Sequence, residues 1–179
     1  MGYAIVVDVS VARAASESPN LVAMKCREIL DCISEYDHQL ALSKPVQDEW
    51  FKSRVGHGEL YNQYASYYTL QWFVKMVSER RIVWIEIDDQ VSLMNKIVEC
   101  ALLQDQAQIK KDVHLVATAL KSDKRVLSCD DKIRKHFQKI GATVKELCEI
   151  LWLNPINMPA AKWISSGAPN DIQYLLCSK

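Results

Sequence analysis

The sequence lacks the long apolar run of a membrane-spanning helix. No stretch reaches the roughly 18 consecutive apolar residues such a span needs. The opening run Ala4-Ile5-Val6-Val7 is too short for a signal peptide and has no basic region before it. A soluble cytoplasmic protein with no membrane partner is therefore the expectation. Metal-binding cysteine spacing is missing as well. None of the six cysteines (Cys26, Cys32, Cys100, Cys129, Cys148, Cys177) forms a Cys-x-x-Cys pair, and His38, His57, His114 and His136 are scattered. This pattern excludes the common zinc frameworks. A disulfide framework is not expected in a chain with so much core, and most cysteines read as small buried hydrophobes. Net charge is absent too, since 22 basic residues balance 22 acidic ones.

What is present is a globular composition. The 179 residues, 49% of them apolar, suffice for one domain with a real core. Charge is unevenly spread. Residues 1–109 hold 10 Lys/Arg and 15 Asp/Glu, whereas residues 110–145 hold 10 and 4. A basic region beside acidic groups can hold a phosphate backbone next to a metal, and Lys110, Lys111, Lys132 and Lys135 are its candidate phosphate contacts. A plain solvated face is the competing interpretation.

Residues 3–8, YAIVVD, read as a buried parallel strand ending in an aspartate. Asn20 can cap a helix to about residue 36, with Leu21, Met24, Ile29, Leu30 and Ile33 as its apolar stripe. Residues 38–42 suit a second strand, and Pro45 opens a helix holding Glu49. Gly56-His57-Gly58 breaks the chain before an aromatic helix at about 60–79. Residues 82–85 form a third strand, and Asp88 or Asp89 caps the next helix. A turn near 105–110 leads into the helix DVHLVATAL. A strand at 125–128 precedes Cys129-Asp130-Asp131, and 142–144 suits an edge strand. Alternating strands and helices imply a three-layer α/β domain with a mostly parallel sheet. Residues 1–146 form that domain in this scheme. Residues 147–179, with Trp152 and Trp163 but little periodicity, form an extension packed on it.

Ligands in parallel sheets bind beyond the carboxyl ends of the strands. Asp8 ends the first strand and Asp130 follows the strand at 125–128. Asp112 is placed at a helix start and Glu49 in the early turns of another helix. These four carboxylates can therefore converge. Together they repel unless a cation balances them, and oxygen-only ligands suit Mg²⁺ or Mn²⁺. Such an ion activates water for attack on phosphorus. A turn or cap role remains the structural alternative for Asp8, Asp112, Asp130 and Asp131, and a solvated helix residue for Glu49.

The segments VVDVSV, PVQDEW, KDVHLVATAL and VLSCDD together resemble the PIN domain family over about residues 3–145. The pairing of Asp112, before an alanine-rich apolar helix, with Ser128-x-Asp130 is the most specific part. The resemblance implies a parallel five-stranded sheet, a divalent metal site and cleavage of single-stranded RNA. It assigns Asp8, Glu49, Asp112 and Asp130 to catalysis and metal binding, with Ser10, Ser128 and Asp131 in support. Val9 departs from the family's small polar residue, and Lys132 and Arg134 stand where a further acidic ligand is absent. The family includes toxins, so an antitoxin or other regulatory protein, and a homodimer, stay open as partners. A catalytically inactive PIN-like interaction module, and a metal-dependent DNase or phosphatase, are the alternative functions.

Other residues have plainer roles. His57 reads as a loop residue and His114, off Asp112's helix face, as structural. The series Tyr61, Tyr64, Tyr67, Tyr68 and Trp72 reads first as packing, then as a protein interface, then as base stacking. Cys129 beside Asp130 is a poor nucleophile, because negative charge disfavours its thiolate.

Overall fold

Four apolar residues, Ala4–Val7, form strand β1 and are buried along its whole length. A strand buried on both faces needs cover on both, which explains its lack of alternation. The computed structural model describes residues 2–51, 55–56, 59–60 and 65–178. After β1 come helices α1 (Val9–Ala14) and α2 (Leu21–Glu35), strand β2 (Gln39–Ser43) and helix α3 (Lys44–Phe51). A short antiparallel pair, β3 (Val55–Gly56) with β4 (Glu59–Leu60), precedes α4 (Tyr67–Ser78) and β5 (Ile82–Ile85). Helices α5 (Val91–Glu99) and α6 (Leu103–Leu120), strand β6 (Arg125–Leu127), helix α7 (Asp131–Ile140), strand β7 (Leu151–Leu153) and helix α8 (Ala160–Ser165) complete the chain. The main sheet has the order β5-β2-β1-β6-β7, with every pair parallel. The expected α/β architecture with a five-stranded parallel sheet is therefore present.

Helix α6 packs across β1, β2 and β6, and α2 packs on β2, α1, α4 and α8. Ile5, Val7, Leu40, Leu42 and Val126 are fully buried between them. Each such side chain contributes roughly 1.5–3 kcal/mol of burial free energy. Asn20 caps α2 as expected, accepting from the Ala23 N–H at 2.8 Å. The buried stripe of α2 is Ala23, Cys26, Ile29, Leu30 and Ile33, while Leu21 and Met24 are exposed.

Several features differ from the sequence expectation. Helix α6 runs unbroken from Leu103, so no turn occupies 105–110 and Asp112 sits in mid-helix rather than at a start. The tract 103–112 has no Pro or Gly, and its polar residues are solvated helix formers. The edge strand is Leu151–Leu153, not 142–144, because α7 ends in a turn at Gly141 and the chain needs another short 3-10 segment to reach β6. Residues after 146 thus complete the sheet, and Trp152 and Trp163 are buried there.

Another difference is covalent. Cys148 and Cys177 form a disulfide. The chain end folds back along β7, where the Leu176 N–H donates to Ile150 O at 2.8 Å, and this brings the two cysteines together. Both sulfurs lie against Gly141, where a side chain would collide with Cys177 Sγ at 2.4 Å. Cys26 is buried, Cys32 and Cys129 are half-buried, and Cys100 is exposed.

Helix α4 begins at Tyr67, later than expected. Trp72 is buried and donates to Ser34 Oγ at 2.7 Å, and Phe73 packs edge-on to Phe51 at 5.2 Å. Tyr67 is exposed. His57, Tyr61 and Tyr64 lie outside the described residues. No helix among the described residues is long and apolar enough to cross a membrane.

Candidate functional site

The site begins where β1 ends. The Asp8 N–H donates to Leu127 O on the neighbouring β6 at 3.0 Å, so Asp8 and Ser128 leave the sheet side by side. Asp8 occupies the N-cap position of α1, yet its carboxyl makes no capping bond. Instead Ser128 Oγ donates to Asp8 Oδ2 at 2.7 Å, and Ser10 Oγ donates to the same oxygen. Ser10 Oγ in turn accepts the Cys129 N–H at 3.0 Å, and Ser128 Oγ accepts the Asp130 N–H at 3.1 Å. A small hydroxyl network thus fixes both the Asp8 carboxyl and the turn after β6.

Glu49 reaches this point through its neighbour. Trp50, fully buried, donates its indole N–H to Val7 O at 3.1 Å and fastens α3 to the end of β1. Asp112 arrives on α6, whose fully buried stretch is anchored by the Ser43–Thr118 hydroxyl contact at 2.7 Å. Gln108, one turn earlier, donates to Asp112 Oδ2 at 2.7 Å.

Asp8, Glu49 and Asp112 are near enough to act on one another's charge. Burial, countered in part by the two serine hydroxyls, raises the proton affinity of Asp8, and the Glu49 charge raises it further. Asp112 is pushed up to about 6, chiefly by burial and then by the charge of Asp8, with Glu49 adding to it. Asp8 and Asp112, which hold their protons more tightly than free carboxyls, are short of positive charge.

The other two acidic residues are used differently. Asp130 caps α7, its Oδ1 accepting the N–H groups of Lys132 at 2.8 Å and Ile133 at 3.0 Å. Asp131 accepts from Asn154 and Asn157, both at 2.9 Å, and ties α7 to the C-terminal segment. Lys110, Lys111, Lys132 and Lys135 are exposed on α6 and α7. None of the four is in an ion pair among the described residues, whereas Lys121 pairs with Asp89 and Lys124 with Glu149.

No family model matches the chain, and no curated protein matches it.

Hard oxygen donors and raised carboxyl proton affinity fit a divalent cation. Glu49 Oε2 also fits, since it is buried without a hydrogen bond. As the side chains stand, no three His, Cys, Asp or Glu groups among the described residues are arranged to grip one ion. Glu49 Oε1 and Asp112 Oδ1 accept no hydrogen bond from described residues and are the oxygens left for an ion, while the opposite oxygen of each is engaged. A cavity of about 540 Å³ lies at the opposite end of the sheet, where β6 and β7 begin, and includes none of these carboxyls.

Two neighbours add to the site residues that the sequence points to. Gln108 is the i−4 partner of Asp112. His114 reads from spacing alone as structural, because two residues put it more than half a helix turn away from Asp112's face. Its partner is Glu49 on another helix, with Nε2 3.2 Å from Oε2. Cys129 Sγ lies 3.6 Å from Cys26 Sγ. That contact, with burial and the Asp8 charge, pushes the Cys129 thiol up, which disfavours its thiolate.

Proposed function

We propose that the chain is a metal-dependent endoribonuclease of the PIN type, cleaving single-stranded RNA with Mg²⁺ or Mn²⁺. One observation carries this proposal: the buried Asp8 carboxyl at the end of β1, with Glu49 and Asp112 acting on it or on each other electrostatically. Among the described residues Asp8 is paired with no basic side chain, and its side-chain hydrogen bonds come from two hydroxyls, so its negative charge is not balanced. The parallel α/β sheet and the hydroxyls of Ser10 and Ser128 agree with the resemblance.

In this mechanism Asp8 is the fixed ligand, held in one orientation by Ser10 and Ser128. Asp112 and Glu49 would contribute further oxygens to a divalent cation, which would supply charge neutralisation and a more acidic bound water for attack on phosphorus. Lys132 and Lys135, in the first turns of α7, and Lys110 and Lys111, just before Asp112, are available to hold the RNA phosphates. Asp130 supports the site by setting the start of α7.

A second function is favoured by Asp130 and Asp131, whose carboxyls are engaged in a cap and in the Asn154–Asn157 contacts. An inactive interaction module can tolerate that arrangement. The deciding experiment incubates the purified chain with a diverse RNA pool, single-stranded DNA and a phosphomonoester, each with Mg²⁺ or Mn²⁺. Cleavage of RNA alone, lost in Asp8→Asn and Asp112→Asn, supports the nuclease. Hydrolysis of the DNA or the ester instead identifies a DNase or phosphatase. Absence of any metal-dependent product, with no Mn²⁺ affinity, overturns the proposal in favour of the module.

A further inference from the structure

We infer that His114 is a positioning residue that holds Glu49 in the carboxylate group. The inference rests on the metal-site interpretation of Asp8, Glu49 and Asp112 for its functional meaning. It rests on independent contacts for its geometry.

His114 lies in the buried run of α6 and is 7% exposed. Its Nε2 sits 3.2 Å from Glu49 Oε2. Both atoms are buried, and neither has a properly angled hydrogen bond to any described residue. Two orphaned polar atoms this close satisfy each other after a small ring rotation, with the Nε2–H donating to the carboxylate. Left apart, each would carry the full cost of a buried unpaired group.

The contact completes a pattern across the group. One oxygen of Asp8 is held by Ser10 and Ser128, and one of Asp112 by Gln108. His114 supplies the equivalent restraint for Glu49. Groups behind metal-binding carboxylates commonly set their orientation in this way. The imidazole is itself on a rigid base, because Thr118 Oγ1 donates to His114 O at 2.7 Å and contacts Ser43 Oγ at the end of β2. Without His114, Glu49 is a partly exposed helix side chain, free to swing toward water. The carboxylate group would then lose a member without any change in the fold.

The test uses the full chain and three variants, His114→Leu, His114→Gln and Glu49→Leu. Mn²⁺ affinity is measured by calorimetry, and folding by circular dichroism. Glutamine places an amide N–H close to the imidazole Nε2–H. His114→Leu should weaken Mn²⁺ binding about 10- to 100-fold, and His114→Gln should restore most of it. Equal affinity in wild type and folded His114→Leu overturns the inference, as does His114→Gln binding as weakly as leucine. Nitrogen-15 NMR of the metal-free imidazole supplies a readout independent of the ion and of the leucine variant's folding. The Nε2–H tautomer is expected, with its proton resonance shifted in Glu49→Leu. An Nδ1–H tautomer, or a resonance insensitive to Glu49, overturns it. If the wild type binds no Mn²⁺, the metal-site interpretation fails, and the NMR result alone decides whether His114 holds Glu49.

Discussion

Replacing Asp112 by asparagine should stabilise the metal-free protein near neutral pH. Burial and the charges of Asp8 and Glu49 raise Asp112 from its ordinary 3.8 to about 6. The folded state therefore binds this proton more tightly than the unfolded state. Its contribution is fully present below about pH 4 and is lost as pH rises to about 6, above which it stays lost. At about 1.4 kcal/mol per pH unit, that rise corresponds to about 3 kcal/mol. The asparagine side chain carries no charge to desolvate and can still accept from Gln108. The variant should approach a gain of about 3 kcal/mol at pH 7, or roughly 6–12 °C in Tm for a chain of this size. Solvent screening of a carboxyl that is only partly buried, and the burial cost of the amide, make this a ceiling. The assay is urea unfolding in EDTA at several values between pH 4 and pH 8. Wild-type stability should fall over that interval more than the variant's, and the two should converge at acid pH. Added Mn²⁺ should reverse the order at pH 7, since ligand at about 1,000 times Kd stabilises its binder by about 4.1 kcal/mol, more than the variant's ceiling. Parallel pH profiles, with the variant no more stable at pH 7, would refute the picture of an uncompensated carboxylate group.

Three further outcomes follow from other parts of the molecule. Neutralising Lys110, Lys111, Lys132 and Lys135 together should weaken RNA binding and flatten its salt dependence, as read from affinity across a salt titration; an unchanged slope marks these lysines as a solvated face. Reducing the Cys148–Cys177 bond, which closes 29 residues of chain, should lower stability by roughly 3–4 kcal/mol in the loop-entropy picture, measured by denaturation with and without reductant. A chain ending at residue 146 loses β7 and the buried Trp152, so it should fail to unfold cooperatively; a sharp native-like transition would show that the sheet does not need its fifth strand.

Several features were legible in the residues themselves. Continuous apolar runs such as Ala4–Val7 must be buried on both faces, and their alternation with helical segments implies a parallel sheet with covering helices. The Asn20 cap is a local hydrogen bond, so local sequence is enough to find it. Asp8 at a strand end was a candidate for the same reason, because strand ends point to the ligand side of such sheets. Where sequence reasoning failed, the deciding contacts were long-range. The turn expected at 105–110 is absent because polar residues there are helix formers on a solvated face, which looks like a loop when only apolar spacing is read. The edge strand at 151–153 was hidden in a segment with little periodicity, since a three-residue strand buried on every side has no alternation to show. The disulfide depends on the chain end returning along β7, which spacing between cysteines cannot reveal.

The candidate site divides along the same line. Sequence alone determined which residue types could act and that Asp8 would stand at a strand end, because strand identity and carboxylate chemistry are local properties. Tertiary structure alone decided that Trp50 carries Glu49 to Asp8, that His114 meets Glu49 across two helices, and that Asp130 uses its carboxyl to cap α7. Those outcomes turn on which oxygen finds which donor at about 3 Å, and that is set by the packing of α3, α6 and α7 around the ends of β1 and β6 rather than by spacing along the chain.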